Sequence, residues 1–390
     1  MKTDDGAHKE QMENSENSEN SAWRQERVEL SRKLQERYDA GQPLFTKKQL
    51  TSLAEQITNK TCVVQITDMV GKTTWDPIEW DCFENEWVKV DPSHDLKANG
   101  KVDSETLVID YRPIQRLVIP CPSNQPYELP RPSCSVNVER ATMPTRMTSA
   151  QIGMAVGKIR AEFEKHKKAW EVSSQCKKLK DILLSIPIPN VINKIVCFGL
   201  GDLFDDSDDE NDKIGSSDGN SEIRSHVQHA AALTVARILG ERIGREIRCY
   251  SQDPAYNQAT IEFLKSHNIV VLHDPQGFVD IDESTLVFSV APSVPVKQIV
   301  TELARPAIII WDTMLPADKE SREWELMKFP NGNETWISPW ITDPDSARTR
   351  RMEEEEYTSY PFPEDPVALN EIRILVKKAS NGKKDMAQRL

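Results

Sequence analysis

From Lys194 onward the chain alternates short, almost wholly apolar runs with helical stretches, and few folds accept that pattern. Lys194–Phe198 has no polar residue after its lysine, as expected of a strand buried on both faces of a parallel sheet. The same signal recurs at Ile247–Ser251, Ile269–Leu272, Thr285–Val290 and Ala307–Trp311. Helical stretches at His226–Gly244, Asn257–His267 and Pro295–Leu303 separate most of these runs. About five strands mostly alternating with helices predict an α/β fold, a Rossmann-like parallel sheet with helices on both faces. This domain is expected over 148–320, with a disordered acidic insertion at 203–222.

A long helix should lead into it. Thr148 and Gln151 make the S/T-x-x-E/Q pattern of a capping box. Ile152, Val156, Ile159, Phe163, Trp170, Leu179 and Ile182 then form one apolar stripe, with a break near Ser173-Ser174 and a stop at Pro187 and Pro189. Residues 23–147 are expected to form a smaller α+β region. Two helices run from Trp23 to about Ile57, divided at Gly41-Gln42-Pro43. β-formers follow at Val63–Val70, Trp87–Val90 and Thr106–Pro120, and the proline-rich stretch 121–133 reads as an extended linker. Residues 321–390 should hold a hairpin, Trp324–Phe329 with Glu334–Pro339, followed by a tail. In that tail Val367–Lys378 is apolar enough to pack on the core without declaring helix or strand. Residues 1–22 and the basic C-terminal end are expected to be disordered tails.

Composition narrows the function classes. The net charge of −13 argues against a nucleic-acid binder, which needs clustered Lys and Arg, and against an anionic membrane surface. No apolar run approaches the roughly 18–20 residues that span a bilayer, and the N-terminus has no secretory apolar segment. The expected location is the cytoplasm, the nucleus or both. Seven cysteines without a C-x-x-C pair fit that setting and make a disulfide framework or zinc site improbable. His226 and His229 have an i, i+3 spacing that metal sites use, but the sequence supplies no third ligand, and no metal is expected.

In an open parallel sheet, ligands bind at the carboxyl ends of the strands. Here those ends are Gly199-Leu200-Gly201-Asp202, Asp253-Pro254, His273-Asp274-Pro275, Ala291-Pro292-Ser293 and Asp312-Thr313. The candidate binding residues are Gly199, Gly201, Asp202, His229, Asp253 and Ser293; no catalytic residue is assigned. The glycines either let a ligand approach the backbone or merely turn the chain in a crowded place. Asp253 stands where a carboxylate can hold ribose hydroxyls, and Asp-Pro is equally a turn that caps the next helix. The G-L-G-D turn is half of a dinucleotide fingerprint, and the acidic insertion separates it from the helix that would face a phosphate. Ser207 in that insertion sits in an acidophilic-kinase context. Adjacent His273 and Asp274 should point apart, and Trp311, Trp336 and Trp340 read as packing residues. No G-x-S-x-G and no activated cysteine is present.

The run Ile195–Leu203 (IVCFGLGDL) resembles the signature of the Sensitivity to Red Light Reduced (SRR-like) domain family. Gln228–Leu233, Tyr250–Pro254 and Leu286–Ser289 match in the family's order, and the helix carrying Trp170 is also similar. The likeness spans about 150–315, and the extended flanks look most like fungal-type members. Where many relatives have a Met-Pro-His-Cys-like segment, this chain reads Ala291-Pro292-Ser293-Val294. The resemblance implies a regulatory protein linked to light and circadian signalling in plants and to haem synthesis or cytoskeletal phenotypes elsewhere, with no established reaction. Two readings follow. One is a regulatory protein that works by binding a protein partner or a small ligand. The other is a nucleotide- or S-adenosylmethionine-dependent enzyme with Gly199, Gly201 and Asp253 as cofactor contacts. The sequence names neither the ligand nor the partner.

Overall fold

The computed structural model describes residues 25–59, 61, 63–77, 81–83, 86–88, 105–119, 122, 132–142, 147–204, 221–316, 323–329, 332–365 and 367–379. The expected disorder of 1–22 and of the basic end, most of the proline-rich stretch, and most of the acidic insertion with Ser207 lie outside these residues.

The N-terminal region begins with helices α1 (25–39) and α2 (Lys47–Thr58). Thr46 caps the second, its hydroxyl accepting the Gln49 amide N–H. Three antiparallel pairs follow: β1 (Val63–Thr67) with β2 (Thr73–Pro77), β3 (Asp81–Phe83) with β4 (Glu86–Val88), and β5 (Glu105–Tyr111) with β6 (Val136–Thr142). The stretch read as β up to Pro120 divides after Tyr111. Pro113 occupies the cap position of a short helix, α3 (Ile114–Val118), where its missing N–H costs nothing.

The long helical stretch forms α4 (Ser149–Val172) and α5 (Ser174–Ser185), divided at Ser173, whose extended backbone ends one helix and whose hydroxyl caps the next. The Thr148–Gln151 capping box is formed. Then come β7 (Lys194–Phe198), α6 (Ser221–Ile243), β8 (Arg248–Gln252), α7 (Gln258–Ser266), β9 (Ile269–Val271), α8 (Gln276–Val279), β10 (Thr285–Ser289), α9 (Val296–Leu303) and β11 (Ile308–Asp312). The five strands are parallel in the order β11-β10-β7-β8-β9, so the chain winds outward from β7 in one direction and then from β10 in the other. That is the Rossmann order with its switch point between β7 and β10.

Two further strands extend the sheet beyond the five expected. After the β12 (Glu325–Lys328) and β13 (Glu334–Ile337) hairpin come α10 (Ala347–Glu356), β14 (Tyr357–Pro361) and β15 (Ile372–Lys377). The apolar tail is β15, antiparallel to β11, and β14 pairs outside it.

The pleat sends alternate residues to opposite layers. Ile195 and Cys197 join the core under α4, α5, α6 and α7, whereas Val196 and Phe198 join the core under α8, α9 and α10. The second core also holds Leu34, Leu50 and Tyr111 of the N-terminal region, which covers what those three helices leave bare. Charged contacts fix this cover. Lys47 Nζ donates to the Val279 carbonyl at 2.9 Å, and the Arg348 guanidinium lies 3.8 Å from the centre of the Tyr38 ring.

The C-terminal segment is held by a buried ion-pair network. Lys297 Nζ lies 2.8 Å from Asp345 Oδ1, and its backbone N–H donates to Asp343 at 2.9 Å. Burial alone would lower the Lys297 pKa, but the Asp343 and Asp345 carboxylates hold it above its usual value. Removing one partner of such a pair leaves an uncompensated buried charge. Lys297→Met is therefore expected to lose about 3–5 kcal/mol of stability in urea denaturation. Stability within 1 kcal/mol of wild type, on the order of an exposed pair's worth, would show that the network does not hold this segment.

Candidate functional site

The strand ends meet along one rim, as the parallel order requires. Gly199 and Gly201 both have positive φ, 67° and 74°. A Cβ on Gly199 would lie 2.5 Å from Pro292 Cα, and one on Gly201 would lie 2.4 Å from Ser225 Oγ. The backbone of the β10 loop and the start of α6 thus occupy the space beside the two glycines. The Gly201 N–H donates to Asp253 Oδ2 at 2.8 Å, and the Ala255 N–H donates to Asp253 Oδ1 at 2.9 Å. Burial raises the Asp253 pKa while these two bonds oppose it. Asp202 accepts the Asn257 side-chain N–H at 2.6 Å, and burial pushes its carboxyl up to about 6.

His229 lies beneath this rim, fully buried. Its Nδ1 is 2.7 Å from the Ser225 carbonyl, which can only accept, so Nδ1 carries the proton. Nε2 then accepts from the Tyr256 hydroxyl at 2.8 Å, and Tyr256 accepts from Ser251 Oγ at 2.7 Å. Burial lowers the His229 pKa to about 4, so it is neutral at pH 7. His226, three residues earlier, turns elsewhere and stacks on His166 with ring centres 5.6 Å apart. Among the described residues no group of three or more His, Cys, Asp and Glu side chains is arranged to hold a metal ion.

Gly201, Asp202, Asp253 and His229 are therefore each committed to hydrogen bonds within the protein. Gly199 and Ser293 face a different space. A cleft of about 700 Å³ opens beside them at the switch point between β7 and β10. Part of its wall comes from β5 and its surroundings, with Tyr111, Pro113, Arg116 and Glu139; another part carries Trp324, Trp336 and Trp340. Trp324 and Trp340 meet edge to face at 5.7 Å and 89°. Asp274 and Gln252 complete the lining from the ends of β9 and β8.

Polar groups in this cleft are only partly committed. Asp110 accepts from Arg112 Nε at 2.7 Å and from Arg116 Nη1 at 3.0 Å, which neutralises much of that corner. Asp274 Oδ1 accepts from both the Tyr111 hydroxyl and Gln252 Nε2, each at 2.7 Å. The Asp274 residue is open to solvent, yet protein crowds its carboxyl, and this desolvation lifts its pKa to about 6 against the two hydrogen bonds. At pH 7 it is therefore mostly ionised. The cleft thus brings together aromatic lining residues and one carboxylate oriented by two uncharged donors.

Sequence reasoning placed Asp274 at a strand end but gave it no role, and it assigned Trp336 and Trp340 to packing. Trp311 does pack, fully buried, with its indole N–H donated to Glu353 at 2.8 Å. Trp336, in the hairpin, and Trp340, packed on Trp324, also line the cleft. Tyr111 and Arg116 had no motif to find them by; only the docking of the N-terminal region brings them to the rim.

Residues 176–367 match the SRR1 domain family. No curated protein matches the chain. The match supports the SRR-like resemblance read from Ile195–Leu203, but it begins later and ends later than the span of about 150–315 expected from the motifs. It contains the strand ends and the tryptophan wall of the cleft, whereas the Tyr111–Arg116 wall lies outside it.

His226 makes this helical layer acid-sensitive. Burial first, then the neighbouring His166, lowers the His226 pKa to about 4 from an ordinary 6.5. A folded-state pKa below the unfolded one contributes stability that is present above pH 6.5 and lost as pH falls toward 4. His226→Phe keeps the stacking surface and removes the charge. Its stability relative to wild type should improve by about 2 kcal/mol between pH 7 and pH 4.5, measured by urea denaturation at both. A difference that does not change with pH would mean that His226 titrates normally.

Proposed function

We propose that this chain, through its SRR1 domain, is a regulatory protein that acts by binding. A small organic ligand occupies the strand-end cleft and biases how the flanking segments present themselves to a protein partner, in the cytoplasm or nucleus. The extended flanks fit a fungal-type form of the domain. The observation that carries this reading is the origin of the cleft walls: the domain's strand ends, the N-terminal β5–α3 segment and the C-terminal tryptophan hairpin all contribute. A ligand there touches three segments far apart in sequence, so its binding energy is coupled to their arrangement.

The rival reading needs a nucleotide or S-adenosylmethionine to use Gly199, Gly201 and Asp253. Pro292 and Ser225 fill the space a side chain would need at the two glycines, so packing already accounts for them, and both Asp253 oxygens already accept backbone N–H groups. A ribose would have to displace bonds that hold the glycine turn. The open cleft favours the first reading.

Thermal-shift measurements discriminate the two. The full chain is screened against adenine nucleotides, nicotinamide cofactors, S-adenosylmethionine, haem and a set of aromatic amines and acids. A ligand at 100 times its Kd stabilises the native state by about 2.7 kcal/mol, a readily measured rise in Tm. The expected result is a shift that Trp336→Ala abolishes and Asp253→Ala leaves in place. A shift lost in Asp253→Ala but kept in Trp336→Ala returns the cofactor reading.

A further inference from the structure

Among the described residues, Asp274 is the carboxylate of the cleft with no cation beside it: Asp110 pairs with Arg112 and Arg116, and Glu139 lies 3.8 Å from Arg112. Asp274 Oδ1 takes both donors, Tyr111 and Gln252, and Oδ2 has no partner among the described residues. Those two bonds orient the group rather than neutralise it, because both donors are uncharged. Gln252 is itself fixed, its Oε1 accepting the Gly277 N–H at 2.7 Å, so the carboxylate is held by a preorganised chain. The cation nearest in kind, Arg116, is engaged with Asp110. Trp324, Trp336 and Trp340 line the same cleft, and tryptophan is the side chain that attracts a cation most strongly. Of these, the buried Trp324 indole N–H has no hydrogen-bond acceptor among the described residues.

We infer that the cleft selects a small organic cation with a flat aromatic body, its ammonium or similar group on Asp274 Oδ2 and its ring against the tryptophan wall. The inference rests on the reading of the cleft as a ligand site and adds the charge and shape of what enters it. A volume of about 700 Å³ admits a ligand of one or a few rings. An anion meets the unneutralised oxygen of Asp274, and a neutral ring forgoes it.

Isothermal titration of the full chain at pH 7.5 with three probes that share an indole ring tests this: tryptamine, tryptophol and indole-3-propionate. Tryptamine is expected to bind about tenfold or more tightly than either of the others, the scale of a hydrogen bond to a charged group. Asp274→Asn keeps an oxygen that accepts from Tyr111 and Gln252, so its Tm should stay within a few degrees of wild type. It should cost tryptamine about tenfold and leave tryptophol unchanged. Equal affinity for the three probes, preference for the anion, or selectivity that survives in Asp274→Asn each overturns the inference while the cleft remains a binding site. Binding of none of them also overturns it; the broader reading then stands or falls separately, on whether any member of the thermal-shift panel binds in a Trp336-dependent way.

Discussion

A parallel sheet must be covered on both faces, because its strands have no polar side to show to water. In this chain α4, α5, α6 and α7 cover one face, but α8, α9 and α10 are too short to close the other. Val196, Phe198, Val287 and Ile309 would stand against an incomplete layer there. Leu34, Leu50, Tyr111 and Leu117 from the N-terminal region complete it. The docking of that region is thus a consequence of sheet burial, and the cleft is a consequence of the docking. Where β5 passes the switch point it shares a core with Phe198 and Phe278 but leaves room beyond Tyr111, whose ring meets Phe278 edge-on at 5.5 Å.

Buried polarity follows the same geometry. Under the first face, His229, Tyr256 and Ser251 satisfy one another in a line that ends on the Ser225 carbonyl. A buried polar group left unbonded costs about 1–3 kcal/mol, so a closed chain of this kind holds a rim in place. Beyond the second face, Lys297, Asp343 and Asp345 do the same for the segment that carries the tryptophan hairpin into position. Thr342 Oγ1 donates to the Pro292 carbonyl at 2.6 Å, tying that segment directly to the loop that packs on Gly199. Rim, loop and tryptophan wall are therefore mechanically continuous.

Much of the fold was legible because its signal is local. Ile195-Val-Cys-Phe198 reads as a buried strand from its shortness and its flanking Pro189 and Gly199, and the Thr148–Gln151 box marks a helix start within four residues. The misses have local causes too. Helix α10, ARTRRMEEEE, has Met352 as its one large apolar residue, and Thr349 and Glu353 are buried beside it, so no stripe announces it. Strand β15 had an apolar run that fits helix and strand alike until pairing with β11 decides. Strand β6 pairs with β5 across the proline-rich stretch, a contact between residues some thirty apart that no turn signal encodes. The candidate site divides in the same manner. Gly199, Gly201 and Asp253 were visible as strand-end residues, whereas the cleft's walls depend on how the flanks fold back.

Two Asp-Pro corners show why the rest was hidden. Asp253-Pro254 follows β8 and Asp274-Pro275 follows β9, with the same dipeptide at equivalent ends of neighbouring strands. Sequence alone ranks the first higher, since a carboxylate after the second strand is where ribose binding is usual. In the fold the ranking reverses. Asp253 spends both oxygens on backbone N–H groups, Gly201 and Ala255, and becomes part of the scaffold. Asp274 receives Tyr111 and Gln252 on one oxygen, and the other has no partner among the described residues. The difference is made by Tyr111, 163 residues away in sequence, and so it belongs to the tertiary structure and not to either corner.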